Sequence, residues 1–196
     1  MDPIPVTLVG ETIRLEPLSE DHLDALAKVG LDPDIWDLNP GNVATRDQLA
    51  EYVAEAIRDA EAGEAVPFAI VLNDTGKAIG STRYGSIDRG NCRLEIGWTW
   101  IGRAWWRTGV NTECKLLLLQ HAFEVLGCAR VEMKTDTLNR RSRTAILRIG
   151  ASEEGILRKH ILTSSGRWRD TAYYSILDDE WPDVKQKLEA MRTAYG

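Results

Sequence analysis

One stretch of the sequence constrains the fold more than any other, and it runs from residue 94 to residue 115 as LEIGWTWIGRAWWRTGVNTECK. It begins with the apolar and aromatic residues of a strand, passes through a basic turn containing Gly109, and enters a helical pattern. The first amides of a helix have no partner within it and carry partial positive charge. The stretch therefore predicts an anion site, and we expect the amides of residues 107–112 to hold a diphosphate.

The rest of the chain predicts elements in the order β-α-α-β-β-β-α-β-α-β-β-α. Residues 1–10 are expected to be an unstructured lead-in. Period-2 patterns predict strands over residues 12–16, 66–72, 77–87, 92–101, 129–136, 153–161 and 168–177. Helical spacing and caps predict helices over residues 20–29, 45–62, 112–126, 139–149 and 179–192. A β-α-β crossover after antiparallel strands indicates a mixed sheet with helices on its faces, in a single domain.

Composition excludes several classes of function. The net charge of −6 disfavours a nucleic-acid binder. Neither the three cysteines nor the three histidines show metal-ligand spacing, so we expect no metal. The odd number of thiols is compatible with a cytoplasmic protein, and no apolar run reaches the length of a membrane span.

The basic turn lacks two well-known phosphate motifs. A Gly-rich loop ending in Lys and Ser or Thr is absent, and so is the three-glycine dinucleotide fingerprint. Arg103, Arg107 and Gly109 remain, followed by Asn111 and Thr112, which are both good helix caps. From this stretch alone, a capped helix with solvated arginines and no ligand is an equal alternative.

Three separated motifs together are similar to those of a known family. Residues 106–113 read Trp-Arg-Thr-Gly-Val-Asn-Thr-Glu, residues 139–142 read Asn-Arg-Arg-Ser, and residues 149–155 contain Ile-Gly-Ala and Glu-Gly. With the closing Arg169-Asp170-Thr171 strand, they resemble the GNAT superfamily of acetyl-CoA-dependent N-acetyltransferases, in its RimJ/RimL-type branch. The similarity covers about residues 12–181.

The resemblance implies a fold and an activity. The fold would be α+β, with a central mixed, mostly antiparallel seven-stranded sheet that is flanked by helices on both faces and splayed between strands 4 and 5. The activity would be acetyl transfer from acetyl-CoA to a primary amine, either a protein amino terminus or a small amino compound. Trp106 and Asn111 depart from the family's usual turn, which leaves side-chain contacts at the first position open.

The family also implies which residues bind the coenzyme. Backbone groups of the splayed strand would hold pantetheine and polarise the thioester, and amides of the turn would hold the diphosphate. Arg143 or Arg148, and Arg107 or Lys115, are candidates for the coenzyme's phosphates. The full set of expected contacts is Trp98, Thr99, Trp100, Arg107, Thr108, Gly109, Val110, Asn111, Thr112, Asn139, Ser142 and Arg143.

Acetyl transfer needs a neutral amine and a protonated leaving thiolate. The position of Ser142 in the family motif makes it the candidate hydroxyl that helps the thiolate by hydrogen bonding or proton transfer, and a plain helix cap is the alternative. Glu95 is the first candidate for the base, with an exposed strand glutamate as the alternative. His160 is the second candidate, with a structural histidine as the alternative. Alternation puts one of Tyr173 and Tyr174 in the core.

The acceptor pocket is the least readable part of the sequence. The loop of residues 30–44 and the last hairpin, which is predicted over residues 153–177 with its turn at residues 164–166, are expected to shape it. Trp36 and Trp105 are its candidate aromatic wall, with core packing as the default for most tryptophans. A non-catalytic acyl-CoA sensor and an unrelated anion-binding domain stay open as alternatives. Exposed strand edges are compatible with a homodimer.

Overall fold

A computed structural model describes residues 1–39, 43–163 and 165–193, which form one mixed sheet of eight strands. The strand order is β1-β2-β3-β4-β5-β6-β8-β7, and every pair is antiparallel except the parallel pair of β5 and β6. The mixed, mostly antiparallel sheet predicted from the sequence is thereby confirmed. The strands are β1 Leu8–Val9, β2 Ile13–Pro17, β3 Val66–Leu72, β4 Ala78–Asp88, β5 Arg93–Ile101, β6 Arg130–Asp136, β7 Ser152–Leu162 and β8 Trp168–Leu177.

The eighth strand corrects the predicted count of seven. Leu8–Val9 lies within the expected unstructured lead-in and pairs with β2, with Leu8 opposite Leu15. A strand this short shows no alternation, so its pattern is invisible in the sequence. A residue distant in sequence fixes the turn that follows β1, because the buried Glu113 carboxylate accepts hydrogen bonds from the amides of Glu11 and Thr12.

Six α-helices accompany the sheet in the described part of the chain: α1 Leu23–Gly30, α2 Pro33–Trp36, α3 Arg46–Glu61, α4 Val110–Gln120, α5 Arg140–Arg148 and α6 Trp181–Thr193. Helix α3 covers most of the helix predicted over residues 45–62, and a capping box of Thr45 and Gln48 opens it. Helix α2 lies in the predicted loop of residues 30–44 and is too short for a helical period to appear. Residues 40–42 of that loop, and Ser164 of the predicted last turn, lie outside the described residues.

Each face of the sheet carries its own core. Side chains such as Leu118, Val131, Tyr174 and Leu188 join α4, α5 and α6 to one face. The other core contains Leu26, Leu49 and Trp100, and it joins α1, α2 and α3 to the opposite face. The prediction of helices on both faces is therefore confirmed. The gap in the sheet between β5 and β6 can be reached from either face.

That gap opens between β5 and β6. The two strands pair only from Arg93 to Glu95 on β5 and from Arg130 to Glu132 on β6. Beyond these pairs β5 continues to Ile101 and β6 to Asp136, but the register between them ends. The splay expected between the fourth and fifth predicted strands is thus present, and these strands are β5 and β6 because β1 was not predicted. Strands that diverge leave backbone groups on their inner edges unpaired, so the gap is a place for a ligand that can bond to them.

A bulge in β5 lies at the mouth of this gap. Gly97 pairs with Arg83 and Trp100 pairs with Ser81, so Trp98 and Thr99 together stand opposite Thr82. Trp98 has a φ of 50°, a value that L-residues adopt rarely. The extra residue reverses the alternation of side chains along the strand.

The reversal decides which side chains share a face. Plain alternation places Glu95 and Trp98 on opposite faces of β5. A Cβ added to Gly85, the cross-strand partner of Glu95, would lie 2.5 Å from the Trp98 ring. Glu95 and Trp98 therefore face the same side, the side of α1 to α3, where Trp100 packs on Trp36.

Candidate active site

The turn after β5 presents unpaired backbone amides. A 3₁₀ turn spans Arg103–Trp105, Arg107 adopts a φ of 62°, and α4 begins with Gly109 as its N-cap. No described residue accepts a hydrogen bond from the amides of Arg107, Thr108 or Gly109. In the first turn of α4 the Val110 amide donates to Thr108 Oγ1 at 3.3 Å, and the amides of Asn111 and Thr112 have no helical acceptor. Together these amides have the arrangement of an anion site, and the diphosphate expected there stays a prediction.

Trp106 anchors this turn. Its Nε1 donates to the Ile101 carbonyl oxygen at 2.7 Å, and the Arg141 guanidinium lies 3.8 Å from the ring centroid. Arg141 also donates to the Asp34 carbonyl oxygen, so the turn is tied to α2 and α5. Burial lowers the pKa of Arg141, an effect that Asp34 and neighbouring aspartates oppose. The residue that departs from the family pattern thus has a structural role in packing the turn.

The helix-cap prediction for Asn111 and Thr112 is wrong. Gly109 occupies the N-cap position, which places both residues inside the first turn of α4. The hydroxyl oxygen of Thr112, which is buried, accepts a hydrogen bond from Arg148 Nη2 at 3.0 Å. This bond brings the Arg148 guanidinium to the head of α4, beside the unpaired amides.

Helix α5 is capped by Asn139 and not by Ser142. Asn139 Oδ1 accepts from the Ser142 amide at 3.0 Å. The Ser142 side chain is half-buried, and its hydroxyl makes no hydrogen bond to any described residue. The alternative reading of Ser142 as a plain cap is therefore incorrect, and its hydroxyl is available to a ligand.

Two of the basic residues expected at a phosphate have other partners. Arg143 donates to Tyr174 Oη at 3.0 Å and pairs with Glu153, and the Tyr174 hydrogen bond is the main cause that raises the pKa of Arg143. Lys115 is buried and points to the sheet, where its Nζ donates to Thr99 Oγ1 at 2.7 Å. Arg107 is exposed and Arg148 half-buried, and both stay close to the turn.

Lys115 heads a buried polar cluster behind the bulge. Thr99 Oγ1 lies 2.8 Å from Thr82 Oγ1, and both hydroxyls lie 3.4 Å from the Gly97 carbonyl oxygen. No carboxylate of the described residues lies within 4.0 Å of the ammonium. Burial accordingly lowers the pKa of Lys115. The cluster holds the Gly97 peptide in place where β5 leaves β6.

Glu95 is buried on the opposite face from Lys115. Its Oε2 accepts from Ser86 Oγ at 2.9 Å and pairs with Lys134 Nζ at 2.7 Å. Its Oε1 has no partner among the described residues and would lie 2.8 Å from a Cβ on Gly97. The alternative of an exposed strand glutamate is wrong, because the carboxylate lies over a glycine at the start of the splay.

Tyr173 and Tyr174 point to opposite faces of β8, as alternation predicts, and His160 lies beside Tyr173. Tyr174 is fully buried, whereas Tyr173 is half-buried and lies 5.8 Å from Lys134 Nζ. His160 is exposed, with Nδ1 3.2 Å from Thr171 Oγ1 and its ring 5.8 Å from that of Tyr173. His160 is therefore separated from Glu95 by Tyr173 and Lys134.

The aromatic residues nearest the gap differ from those expected. Trp36 is 5% exposed, and its Nε1 donates to the Gly30 carbonyl oxygen, so it belongs to the core and not to a pocket mouth. Trp105 is half-buried. Trp98, at 38% exposure, instead lines a cleft of about 500 Å³ whose wall includes Arg83 and Ser86. Sequence reasoning placed only the backbone of Trp98 in the site.

Two further observations concern residues 1–39, 43–163 and 165–193. No group of three or more His, Cys, Asp or Glu side chains is arranged to hold a metal ion there. In the same residues, no helix has both the length and the apolar character needed to cross a membrane.

Comparisons with known proteins agree with this fold. The family model described as "Acetyltransferase (GNAT) domain" matches residues 12–152. An uncharacterised N-acetyltransferase, p20 of Bacillus licheniformis, is 28% identical over 176 residues, which is 89% of this chain and 98% of that protein. A GCN5-related N-acetyltransferase from Brucella melitensis superposes with a TM-score of 0.90 at 32% identity, covering 98% of this chain and 87% of that one.

A further solved structure, RimJ of Mycobacterium smegmatis in complex with CoA-disulfide, superposes with a TM-score of 0.80. It is 23% identical, and the match covers 95% of each chain. At this identity the similarity concerns the fold.

The buried ammonium of Lys115 makes a prediction about stability. Lys115→Met should raise the free energy of unfolding at neutral pH by about 1–2 kcal/mol, because a desolvated charge is removed. The folded pKa lies below the ordinary value of 10.5, so the unfolded chain binds the extra proton between these values. Wild-type stability should therefore rise relative to the variant as pH approaches 10.5. Urea titrations from pH 7 to 10.5 measure this difference.

The exposed Lys28 supplies a matched control, because Lys28→Met removes the same charge from the surface. That variant should differ from the wild type by less than about 0.5 kcal/mol at each pH. A Lys115→Met protein that is less stable than the wild type and whose deficit is independent of pH would contradict the assignment of a strained, desolvated ammonium.

Proposed function

The chain belongs to the GNAT family of acetyl-CoA-dependent N-acetyltransferases, and from this premise we propose that it acetylates a primary amine by direct attack in a ternary complex. The acceptor is a protein amino terminus or a small amino compound. One observation carries the proposal: the gap between β5 and β6 opens onto unpaired amides at the head of α4. A single cytoplasmic acetyltransferase domain, with its three thiols free, is part of the proposal.

The residues present fit acetyl-CoA in this gap. The amides of residues 107–112 would hold the diphosphate, with Arg107 and Arg148 as its nearest cations. The backbone of Trp98, Thr99 and Trp100 would hold pantetheine, because β6 no longer pairs with that part of β5. Asn139, whose Oδ1 caps α5, would contact the same arm through its amide nitrogen. When bound, acetyl-CoA supplies a thioester carbonyl as the acetyl donor.

The chain's own groups prepare this carbonyl. The Lys115 cluster donates hydroxyl hydrogen bonds towards the Gly97 carbonyl oxygen, and that carbonyl shares a peptide unit with the Trp98 amide. Hydrogen bonds to the oxygen of a peptide strengthen its N–H as a donor. The bulge peptide is thereby a polarised donor for negative charge on a neighbouring oxygen. Ser142, with its free hydroxyl, assists the leaving thiolate by a hydrogen bond or by passing it a proton, which solvent then returns to the hydroxyl.

Glu95 is our proposed base for the amine. Its Oε1 is free, while Ser86 and Lys134 fix Oε2 and thereby orient the carboxylate over Gly97. A proton from an incoming ammonium can pass to Oε1 directly or through one water. His160 is the weaker candidate because it is exposed and lies beyond Tyr173.

Release of free CoA tests the proposed activity. Protein and acetyl-CoA are mixed with a panel of amino acids, peptide amino termini, polyamines and aminoglycosides, and the thiol is measured over time. We expect amine-dependent thiol release for at least one class. Saturable acetyl-CoA binding without turnover on any amine would refute the catalytic proposal in favour of a coenzyme sensor.

Replacement of Ser142 tests proton delivery to the sulfur. Ser142→Ala should lower kcat by ~10- to 1000-fold, because the leaving thiolate loses its donor. The KM for acetyl-CoA should change by less than about threefold, since the hydroxyl acts in the chemical step. Thr144→Ala, an exposed change on the same helix, is the control and should retain full kcat. An unaltered kcat in Ser142→Ala would remove Ser142 from the mechanism.

Replacement of Glu95 tests the base. Glu95→Gln keeps an acceptor for Ser86 but cannot take a proton, so kcat should fall by at least ~100-fold and the acidic limb of the pH–rate profile should disappear. Glu132→Gln is the control, because Glu132 is the residue of β6 that lies opposite Glu95 in the parallel register. This variant should keep the wild-type pH–rate profile. A Glu95→Gln enzyme with the wild-type profile would exclude Glu95 as the base.

A further inference from the structure

A buried arginine on β8 has no hydrogen-bond or ion-pair partner among the described residues. Arg169 is 4% exposed, and its Nε makes no hydrogen bond to any of them. No described residue hydrogen-bonds its other guanidinium nitrogens, and none of their carboxylates lies within 4.0 Å. Buried polar groups are almost always hydrogen-bonded, and arginine keeps its charge when it is buried. An unpaired guanidinium in this position therefore lacks an anion that something else must supply.

The position of Arg169 on the strand fixes the face that it shares. Ala172 and Tyr174 belong to the core beneath α4 to α6, so alternation places Arg169, Thr171 and Tyr173 on the opposite face. Asp136 pairs with Thr171 across the strands. Arg169 consequently lies on the face that carries Glu95, away from the helices whose first turns would hold the coenzyme.

Charge on this face leaves Arg169 uncompensated. The carboxylate of Glu95 is paired with Lys134, and the buried carboxylate of Asp136 is paired with Arg167. Lys134, Arg167 and Arg169 therefore have the two carboxylates of Glu95 and Asp136 beside them, and Arg169 is the one of these three cations that contacts no carboxylate of the described residues. Burial lowers the pKa of its guanidinium, although Asp136 and Glu95 oppose this through space. One further negative charge beside Arg169 would balance the charge of these three cations.

We infer that Arg169 binds a carboxylate of the acceptor, so that the substrate is an amine which also carries a carboxylate. A guanidinium presents a planar fork that matches the two oxygens of a carboxylate. With the carboxylate at Arg169, the amine of the same molecule extends towards Glu95, where the proposed base lies. This inference rests on the proposed function and narrows its acceptor class to amino acids or similar zwitterions.

The coenzyme's own phosphates are a different source of negative charge. They belong at the head of α4, on the other side of the sheet, where Arg148 and the free amides lie. The acceptor carboxylate is the occupant that the placement of Arg169 favours. Binding that CoA abolishes would point to the coenzyme instead.

A binding experiment tests the inference without requiring turnover. The probes are the ω-amino acids from glycine to 6-aminohexanoate, each compared with its carboxamide. They are titrated calorimetrically into the protein, once without CoA and once at saturating CoA. At least one carboxylate should bind saturably, and its carboxamide should bind ~10-fold or more weakly, because the charged hydrogen bonds are lost. Inorganic phosphate serves as the competing anion and should bind more weakly than that carboxylate.

Variants identify the residue responsible. Arg169→Met should weaken binding of the carboxylate probe by ~10- to 100-fold. Arg169→Lys keeps the charge but not the planar fork, and it should weaken binding by less. Arg58→Met removes an exposed arginine of α3 that pairs with Glu51, and it should bind the probe like the wild type. Arg169→Met should melt at the same or a higher temperature, because an unpaired buried charge is removed.

The possible outcomes separate clearly. Absence of binding by every probe, equal binding of carboxylates and carboxamides, or equal binding by wild type and Arg169→Met would each overturn the inference. Tighter binding of phosphate than of the carboxylate, or loss of probe binding on adding CoA, would assign Arg169 to the coenzyme and would also overturn the inference. If carboxylates bind through Arg169 but no amine is acetylated, the anion site stands and the catalytic proposal fails.

Discussion

The parallel pairing of β5 with β6 stops at Glu95, and the site depends on this interruption. A continuous sheet would have joined the backbone groups of the two strands to each other. Because the strands diverge, the peptide groups of residues 96–101 become available to a ligand, while β4 still holds β5 from the other side. The gap leads to the amides at the head of α4, so strand, gap and helix form one continuous line of donors.

The bulge at Trp98 converts this gap into a two-sided site. One extra residue brings Glu95 and Trp98 to the same face, and it leaves Thr99 on the other face, against Lys115. Gly97 lies between them and lacks a side chain, which allows the Glu95 carboxylate to approach the backbone closely. The Glu95 carboxylate, our proposed base, and the hydroxyl of Thr99, which accepts from Lys115, are thereby brought from opposite faces to the same short segment of β5.

The protein is acidic in total but places cations in its interior. Lys115 and Arg169 are buried on opposite faces of the sheet, and neither contacts a carboxylate of the described residues. Such groups cost stability, and natural proteins tolerate this cost mainly at functional sites. Trp106 shows the opposite case, because an unusual residue at the turn is fully explained by its packing on Arg141 and its bond to Ile101.

Most of the framework could be predicted from the sequence, because it depends on local rules. The capping box of Thr45 and Gln48, the alternation in the longer strands and the strand–turn–helix around Gly109 each involve neighbouring residues, and the structure agrees with them. Elements of a few residues, such as β1 and α2, were missed, because so short a segment cannot show a period.

The tertiary structure alone decided the direction of the functional side chains. A single inserted residue reverses alternation, so the face of Trp98 relative to Glu95 was not readable from spacing. The burial of Trp36, the partner of Lys115 and the isolation of Arg169 depend on strands and helices far away in the chain. Sequence thus determined where donors and carboxylates occur along the chain. Packing determined which of them meet, because that depends on contacts between residues distant in sequence.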